Sequence, residues 1–145
     1  MKLKDMLMEL SELAAPSGFE TPAAELLTKM LERYMDEIRT DSMGNVIGIK
    51  YCGAENAKRL LLDAHMDEIG LIVTGVDKGF LRFAAVGGVD PRMLYAREVK
   101  VLSQPPVFGV VACMPPHVLS AEDMDKAQKI DDMCIDIGMD QESAE

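Results

Sequence analysis

The spacing of apolar residues predicts two helices at the start of the chain. Apolar side chains recur at intervals of three and four over residues 3–13, which predicts a first helix that ends near Ala14. Thr21 followed by Pro22 is typical of a helix start, with the hydroxyl as N-cap and proline at the first helical position. A second apolar face continues that helix to about Met35.

Further along the chain the pattern changes to alternation and short apolar runs. Residues 37–51, with a turn at Asp41–Gly44, predict a hairpin or a sheet-edge pair, and Asp140–Glu145 resembles the start of a helix with an acidic first turn. Between them, short strands are predicted at Leu71–Val76, Phe80–Val86, Val99–Leu102, Val107–Cys113 and Cys134–Ile137. Strands that recur at intervals of about ten residues suggest a small barrel or sandwich.

The segment Leu60–Gly70 combines an apolar run with polar residues at its end. Three consecutive leucines lead to Ala64, which predicts a buried strand over Leu60–Ala64. His65 and Asp67 follow, and side chains two residues apart on an extended backbone point the same way. The carboxylate can therefore orient the imidazole, or both groups can approach a metal.

The pair His65 and Asp67 allows two interpretations. A histidine at a strand end is more often a hydrogen-bonded structural residue than a metal ligand. The carboxyl end of a buried strand in an α/β sheet is, however, where ligands usually bind. On the spacing alone both interpretations stay open.

The order of predicted elements indicates an α/β protein in which the predicted secondary structure becomes mainly β after Gly70. Helices and a hairpin precede the Leu60–Ala64 strand, and short strands dominate after it. We therefore predict a domain boundary that separates residues 1–69 from residues 70–145.

Composition narrows the class of protein. With 48% hydrophobic and 28% charged residues in 145, the chain is globular, and its net charge of −10 argues against nucleic-acid binding. Its three cysteines are widely spaced and form no Cys-x-x-Cys, which fits a reduced compartment. The N-terminus carries charged residues within an amphipathic pattern and resembles neither a signal peptide nor a membrane span. We expect a soluble, cytoplasmic protein.

Four stretches, in this order, resemble one family of enzymes: Ala15–Glu20, Asp41–Val46, Ala64–Gly70 and Gly87–Arg92. The family is that of the dinuclear-metal aminopeptidases of the glutamyl aminopeptidase, deblocking aminopeptidase and endoglucanase-M-like type. The resemblance covers nearly the whole chain. It implies the start of a phosphorylase/hydrolase-like metallopeptidase α/β catalytic domain, followed by an inserted, small β-barrel-like domain used for dimer contacts and assembly, both incomplete.

The same resemblance implies roles for individual residues. His65 is implied to be a ligand of one of two zinc or cobalt ions, and Asp67 to be the carboxylate that orients it. Glu68 could approach such a site, but we favour a structural role in which its carboxylate accepts a hydrogen bond from the backbone. His117 matches a position within the inserted domain, so it is interpreted as a structural or surface residue.

The other metal ligands and the glutamate general base of the family lie beyond the point that matches Glu145. The sequence therefore predicts the N-terminal part of a metal-dependent aminopeptidase that removes N-terminal residues from peptides and is inactive as this chain alone. The alternative is a non-catalytic assembly or regulatory module derived from that family. Either way we expect a homo-oligomer formed through the β domain, with no nucleic-acid or membrane partner.

Overall fold

The structure, a computed structural model, describes residues 2–120, 122 and 126–145. The chain divides into two compact units, Met1–Glu68 and Ile69–Glu145. The first contains two helices and a hairpin, and the second contains a larger sheet. No helix within the described residues is long and apolar enough to cross a membrane.

Both predicted helices of the first unit are present and shorter than expected. Helix α1 spans Leu3–Ser11 and helix α2 spans Thr21–Leu31. The predicted Thr21 cap is wrong, because Thr21 is already helical and Glu20 occupies the cap position without a side-chain cap bond. The Glu20 carboxylate instead accepts a hydrogen bond from the Gly18 amide at 2.6 Å.

Helix α2 ends at Leu31, although the Met35 amide still donates to the Leu31 carbonyl at 3.0 Å. Strand β1 (Glu37–Thr40) and strand β2 (Val46–Ile49) pair in antiparallel fashion, as predicted. A Cβ atom on Gly48 would lie 2.8 Å from Met35 Cγ, so this glycine leaves room for the methionine.

The predicted buried strand over Leu60–Ala64 is wrong. Residues 50–67 contain neither helix nor strand, and Leu60, Leu61 and Leu62 are 84%, 86% and 85% exposed. A strand needs a neighbour to accept and donate its backbone hydrogen bonds, and no described strand pairs with this segment. An apolar run alone does not make a strand where such a partner is lacking.

The second unit is built on a five-stranded antiparallel sheet with the order β3-β4-β7-β6-β5. Its elements are β3 (Gly70–Asp77), β4 (Phe80–Val86), β5 (Glu98–Val101), β6 (Val107–Ala112), β7 (Cys134–Asp136) and a short helix α3 (Gln141–Ala144). Short 3-10 turns occur at Pro91–Met93, Pro116–Val118 and Ile130–Asp132. The five strands predicted from sequence for this unit are all present, with ends that differ by at most one residue.

The sheet is open in the part of the chain that the structure describes. Strands β3 and β5 lie at its two edges and do not pair with each other. The β-rich, antiparallel character expected from the sequence is confirmed, whereas closure into a barrel is not observed. Closure would need β3 and β5, or further strands between them, to form a continuous ladder.

One face of this sheet forms the core of the second unit. The buried members are Leu81, Phe83, Leu94, Val111, Met133 and Ile135. Ile135 on the central strand β7 lies opposite Leu81 on one side and opposite Val111 on the other. Cross-strand neighbours on one face contact each other directly, so these three side chains hold the middle of the sheet together.

Strand β3 contains a bulge that keeps Leu71, Val73 and Val76 on the same face. Val73 pairs with Phe83 and Gly75 pairs with Arg82, so Thr74 has no opposite residue. Side chains alternate between faces along a regular strand. The additional residue allows Val73 and Val76, three positions apart, to share the face of Phe83 and Leu81.

The turn between β3 and β4 is anchored by the end of the chain. Lys78 and Gly79 both have positive φ, 54° and 89°, as in the two-residue turns that suit hairpins. The Gly79 amide donates to Gln141 Oε1 at 3.1 Å. Helix α3 therefore packs near this turn, and its predicted start is confirmed by Asp140, whose side chain accepts from the Ser143 amide at 2.9 Å.

Candidate functional site

The loop that ends α1 is joined to the segment carrying His65 by backbone hydrogen bonds. Pro16 and Glu68 form an isolated parallel bridge. The Glu68 amide donates to the Ala15 carbonyl at 3.0 Å, and the Ser17 amide donates to the Glu68 carbonyl at 3.2 Å. The Pro16–Glu68 bridge therefore brings two separate sequence motifs into register.

Glu68 stabilises the Pro16–Glu68 bridge with its side chain as well as its backbone. Its Oε1 accepts a hydrogen bond from the Ala15 amide at 3.1 Å, and Ala15 is 3% exposed. This confirms the prediction that Glu68 bonds to backbone. A buried amide at this position would otherwise lack a partner, so the carboxylate has a structural role here.

Gly18 completes the loop. The Phe19 amide donates to the Pro16 carbonyl at 2.8 Å, which closes a tight turn over Pro16–Phe19. Gly18 has a φ of 89°, a conformation that glycine adopts without steric cost. The turn directs Ser17 toward the segment that contains Asp67.

His65 makes both of its hydrogen bonds through Nδ1. This atom lies 3.0 Å from Asp67 Oδ1 and 2.9 Å from the Asp67 carbonyl oxygen. Both partners are acceptors, so Nδ1 carries the proton and a neutral ring presents the lone pair of Nε2. The imidazole is 84% exposed, and Nε2 is accessible to another group.

Asp67 is held from two sides. The Ser17 hydroxyl donates to Asp67 Oδ2, while His65 approaches Oδ1. The hydrogen bond from Ser17, followed by that from His65, holds the pKa of the Asp67 carboxyl below its usual range. Asp67 is therefore a carboxylate at neutral pH and a constant acceptor for the histidine.

Ser17 was not identified as a functional residue from sequence. Its motif, Ala15–Glu20, contributed to the family resemblance, but no chemical role could be given to the serine. The only indication in the sequence is that the motif containing Ser17 and the motif containing Asp67 occur in the same chain. The two residues are 50 positions apart. Contact between them follows from the Pro16–Glu68 bridge, which sequence spacing does not reveal.

A dinuclear metal site needs more ligands than the described residues bring together. They contain no group of three or more His, Cys, Asp or Glu side chains placed to hold a metal ion. The orientation of His65 fits one imidazole ligand with a carboxylate behind it. A catalytic zinc usually takes three protein ligands, so the described residues fit one ligand position and not a complete site.

His65 and Asp67 lie on the wall of an open groove in the first unit. The groove has a volume of about 1340 Å³ and is lined by α2, the β1–β2 hairpin and residues 61–67. Small-molecule sites usually enclose about 300–1,000 Å³. The groove is larger and open, so its shape identifies no particular ligand.

Comparison with known proteins identifies relatives of the whole chain. The M42 glutamyl aminopeptidase family model matches residues 44–145. The lysyl aminopeptidase of Pyrococcus furiosus is 35% identical over 139 residues, which cover 92% of this chain and 39% of that protein. The glutamyl aminopeptidase of Lactococcus lactis is 30% identical over 122 residues, 82% of this chain and 34% of that protein.

Solved structures agree with the sequence relatives. A TET aminopeptidase from a marine sediment archaeon of the Thaumarchaeota superimposes with a TM-score of 0.87 at 33% identity, covering 97% of this chain and 40% of that one. The Pyrococcus horikoshii TET1 peptidase, described as assembling into a tetrahedron or a large octahedral shell, gives 0.79 at 34% identity, covering 99% and 43%. The chain thus spans less than half the length of the relatives it matches. It belongs to the M42 glutamyl aminopeptidase family.

Proposed function

We propose that this chain forms the N-terminal part of a metal-dependent aminopeptidase that hydrolyses N-terminal residues from peptides. Residues 1–69 would belong to its α/β catalytic domain and residues 70–145 to an inserted β domain. The observation that carries the proposal is the orientation of His65, whose Nδ1 is held by Asp67 so that Nε2 is free to bind a metal. Family membership supports the same reaction.

In this proposal the chain supplies one ligand and its orienting carboxylate. Asp67 keeps the proton on His65 Nδ1 and makes Nε2 a stronger electron-pair donor toward a metal. Two divalent ions, zinc or cobalt, would polarise the scissile carbonyl and bind the free amino terminus of the peptide. The remaining ligands and a glutamate general base would come from outside residues 1–145.

A chimeric enzyme tests the role of His65. Residues 1–145 would replace the matching part of the Pyrococcus furiosus lysyl aminopeptidase, so that the remainder of that relative supplies the missing ligands. We expect the chimera to catalyse metal-dependent hydrolysis of an aminoacyl amide. His65→Gln should lower kcat/KM at least about 100-fold, since loss of a residue that merely orients a metal ligand already costs about 10–100-fold in activity.

His117→Gln is the matched control, because it makes the same change in the only other histidine of the chain. It should leave kcat/KM unchanged. Equal activity of the His65→Gln and His117→Gln chimeras would contradict the assignment of His65. Separately, the purified 145-residue chain should show no turnover with zinc or cobalt, and measurable turnover would contradict an incomplete site.

A second function is favoured by the self-contained core of the second unit. Its six buried apolar residues all lie between Leu81 and Ile135, whereas the first unit buries only Ala15, Ala23 and Met30 among its described hydrophobic residues. A non-catalytic assembly or regulatory module would keep such a domain without the metal ligands. Sedimentation equilibrium of the Leu61→Lys variant, in which association through the exposed leucines is weakened, tests the module: it should remain a defined homo-oligomer, and a monomer argues against the module.

A further inference from the structure

We propose that Ser17 is a positioning residue for His65, because its hydroxyl fixes the Asp67 carboxylate that orients the imidazole. The proposal rests on the proposed function, in which His65 Nε2 binds a metal. Ser17, in the loop after α1, would thus join His65 and Asp67 as a third residue of the candidate site. Ser17 would act through Asp67 and would not touch the metal or the substrate.

The hydrogen bonds form a directed series. The Ser17 hydroxyl lies against a carboxylate, which only accepts, so the hydroxyl must donate to Asp67 Oδ2. The other oxygen, Oδ1, accepts from His65 Nδ1 at 3.0 Å. Each carboxylate oxygen thus has its own partner, and the bond to Ser17 opposes rotation of the carboxylate away from the ring.

The serine itself is held firmly enough to do this. Its amide donates to the Glu68 carbonyl at 3.2 Å, next to the Asp67 residue that its hydroxyl contacts. The turn over Pro16–Phe19 and the Glu68 side chain on the Ala15 amide fix the same loop. Backbone and side chain of Ser17 therefore bind two successive residues, Asp67 and Glu68.

Asp67 also offers its carbonyl oxygen to His65 Nδ1 at 2.9 Å. This contact does not depend on the carboxylate and would survive loss of the hydroxyl. Removal of Ser17 should therefore weaken the preference for a proton on Nδ1 without abolishing it. The expected effect is a partial shift of the ring toward the other tautomer.

Nitrogen-15 NMR of the metal-free 145-residue chain measures this shift. The chain has two histidines, so the ring nitrogens of His65 and His117 can be assigned by substitution. At a pH where both rings are neutral, wild-type His65 should show a protonated Nδ1 and an unprotonated Nε2. In Ser17→Ala the two His65 shifts should move toward each other, while those of His117 stay constant.

Two sets of variants separate positioning from folding. Ser11→Ala removes another serine hydroxyl of the same unit, one that donates to the Met8 carbonyl at 3.1 Å, and should leave His65 unchanged. The side chains introduced by Ser17→Thr and Ser17→Val have the same shape, but only threonine retains a hydroxyl that can donate a hydrogen bond. Thr should retain the wild-type His65 shifts and Val should lose them. The Ala15 and Glu68 amide signals report whether the Pro16–Glu68 bridge persists.

The proposal is overturned if Ser17→Ala or Ser17→Val keeps the wild-type His65 shifts with the bridge intact, or if Thr and Val behave alike. It is also overturned if wild-type His65 carries its proton on Nε2. The readout needs neither metal nor turnover. A shift at His65 in an inactive chimera would support Ser17 while contradicting the proposed function, so the two failures are distinguishable.

Discussion

At the scale of single residues, Asp41 shows how one carboxylate holds a whole turn. Its Oδ1 accepts from the amides of Met43 and Asn45 at 2.9 and 3.0 Å, and its Oδ2 accepts from the Asn45 side chain at 2.9 Å. The Asn45 side chain, more than the backbone amides, lowers the pKa of Asp41 from its ordinary value. The charged form of Asp41 is therefore favoured in the folded hairpin.

Acid should loosen this turn. Because the folded-state pKa is lowered, the contribution of Asp41 is complete above the unfolded-state pKa, about 3.9, and is lost as the pH falls through the lower folded-state value. We expect the amide signals of Met43 and Asn45 to shift together in that acid range. Asp41→Asn keeps an acceptor but cannot titrate, so its amide signals should not follow the pH. Unchanged wild-type signals would contradict the role of Asp41.

Gly79 is a second residue whose replacement has a definite cost. A Cβ atom there would lie 2.2 Å from the Met139 carbonyl oxygen, and the residue has a φ of 89°. Gly138 also has positive φ, 69°, but nothing lies within 4 Å of its Cβ position. Gly138→Ala should cost about 1 kcal/mol of unfolding free energy through backbone strain alone. Gly79→Ala should cost about 3 kcal/mol, since it must also displace backbone.

Chemical denaturation of both variants measures the difference. The second unit should unfold at lower denaturant concentration in Gly79→Ala than in Gly138→Ala. Equal midpoints would show that the contact between the β3–β4 turn and the end of the chain is absent in solution.

The sequence identified some residues of the candidate site and missed another. His65 and Asp67 are two positions apart, so their contact follows from local geometry. Glu68 was assigned to the backbone because buried carboxylates often accept from amides. Ser17 lies 50 positions from Asp67, and nothing in its local pattern indicates that partner. Long-range contacts of this kind depend on the fold and are not encoded in spacing.

At the scale of elements, local patterns predicted the strands of the second unit and failed for Leu60–Ala64. Strands β3 to β7 have neighbours within the described chain, so their apolar faces find a core. The three leucines have none and are exposed. The end of α2 was also misplaced: the helix ends at Leu31, before the predicted Met35. Secondary structure is therefore predictable here only where the tertiary partner is present.

The exposed leucines should make the chain self-associate. Contiguous exposed apolar surface favours association, and burial of one leucine contributes about 1.5–3 kcal/mol. Leu61→Lys should therefore raise the dissociation constant of the self-associated form at least about tenfold, as measured by sedimentation velocity. Leu3→Lys makes the same change at a leucine that is 71% exposed on α1 and should have little effect. Equal effects of the two substitutions would argue against association through residues 60–62.

At the scale of the whole molecule, the two units differ in how much apolar surface they bury. The second unit has a contiguous core whose central residues, Val111 and Met133, are each 1% exposed. The first unit has no comparable cluster among its described residues. Their stability should therefore differ, since resistance to local unfolding follows buried apolar contacts.

Limited proteolysis should separate the two units. Lys58 and Arg59 are exposed in a segment without helix or strand, so trypsin should cut there before it cuts at β5. Arg97 and Lys100 are also exposed but lie beside or within β5, and should be cut later. Mass spectrometry of the early products should show a fragment that begins at Arg59 or Leu60. Early cleavage at Arg97 or Lys100 would contradict the greater stability of the second unit.

The bulge at Thr74 also constrains how the length of this protein can vary. Leu71, Val73 and Val76 lie opposite residues on one face of β4 because Thr74 is bulged out of the ladder between them. Deletion of Thr74 would restore a regular ladder in which Val73 still pairs with Phe83 and Gly75 with Arg82, so these side chains would keep their direction. Deletion of two residues would shift the pairing on one side of the gap by one residue and turn that part of the strand over. A one-residue gap at this position in an alignment of relatives is therefore compatible with the same core, whereas a two-residue gap would exchange inside for outside.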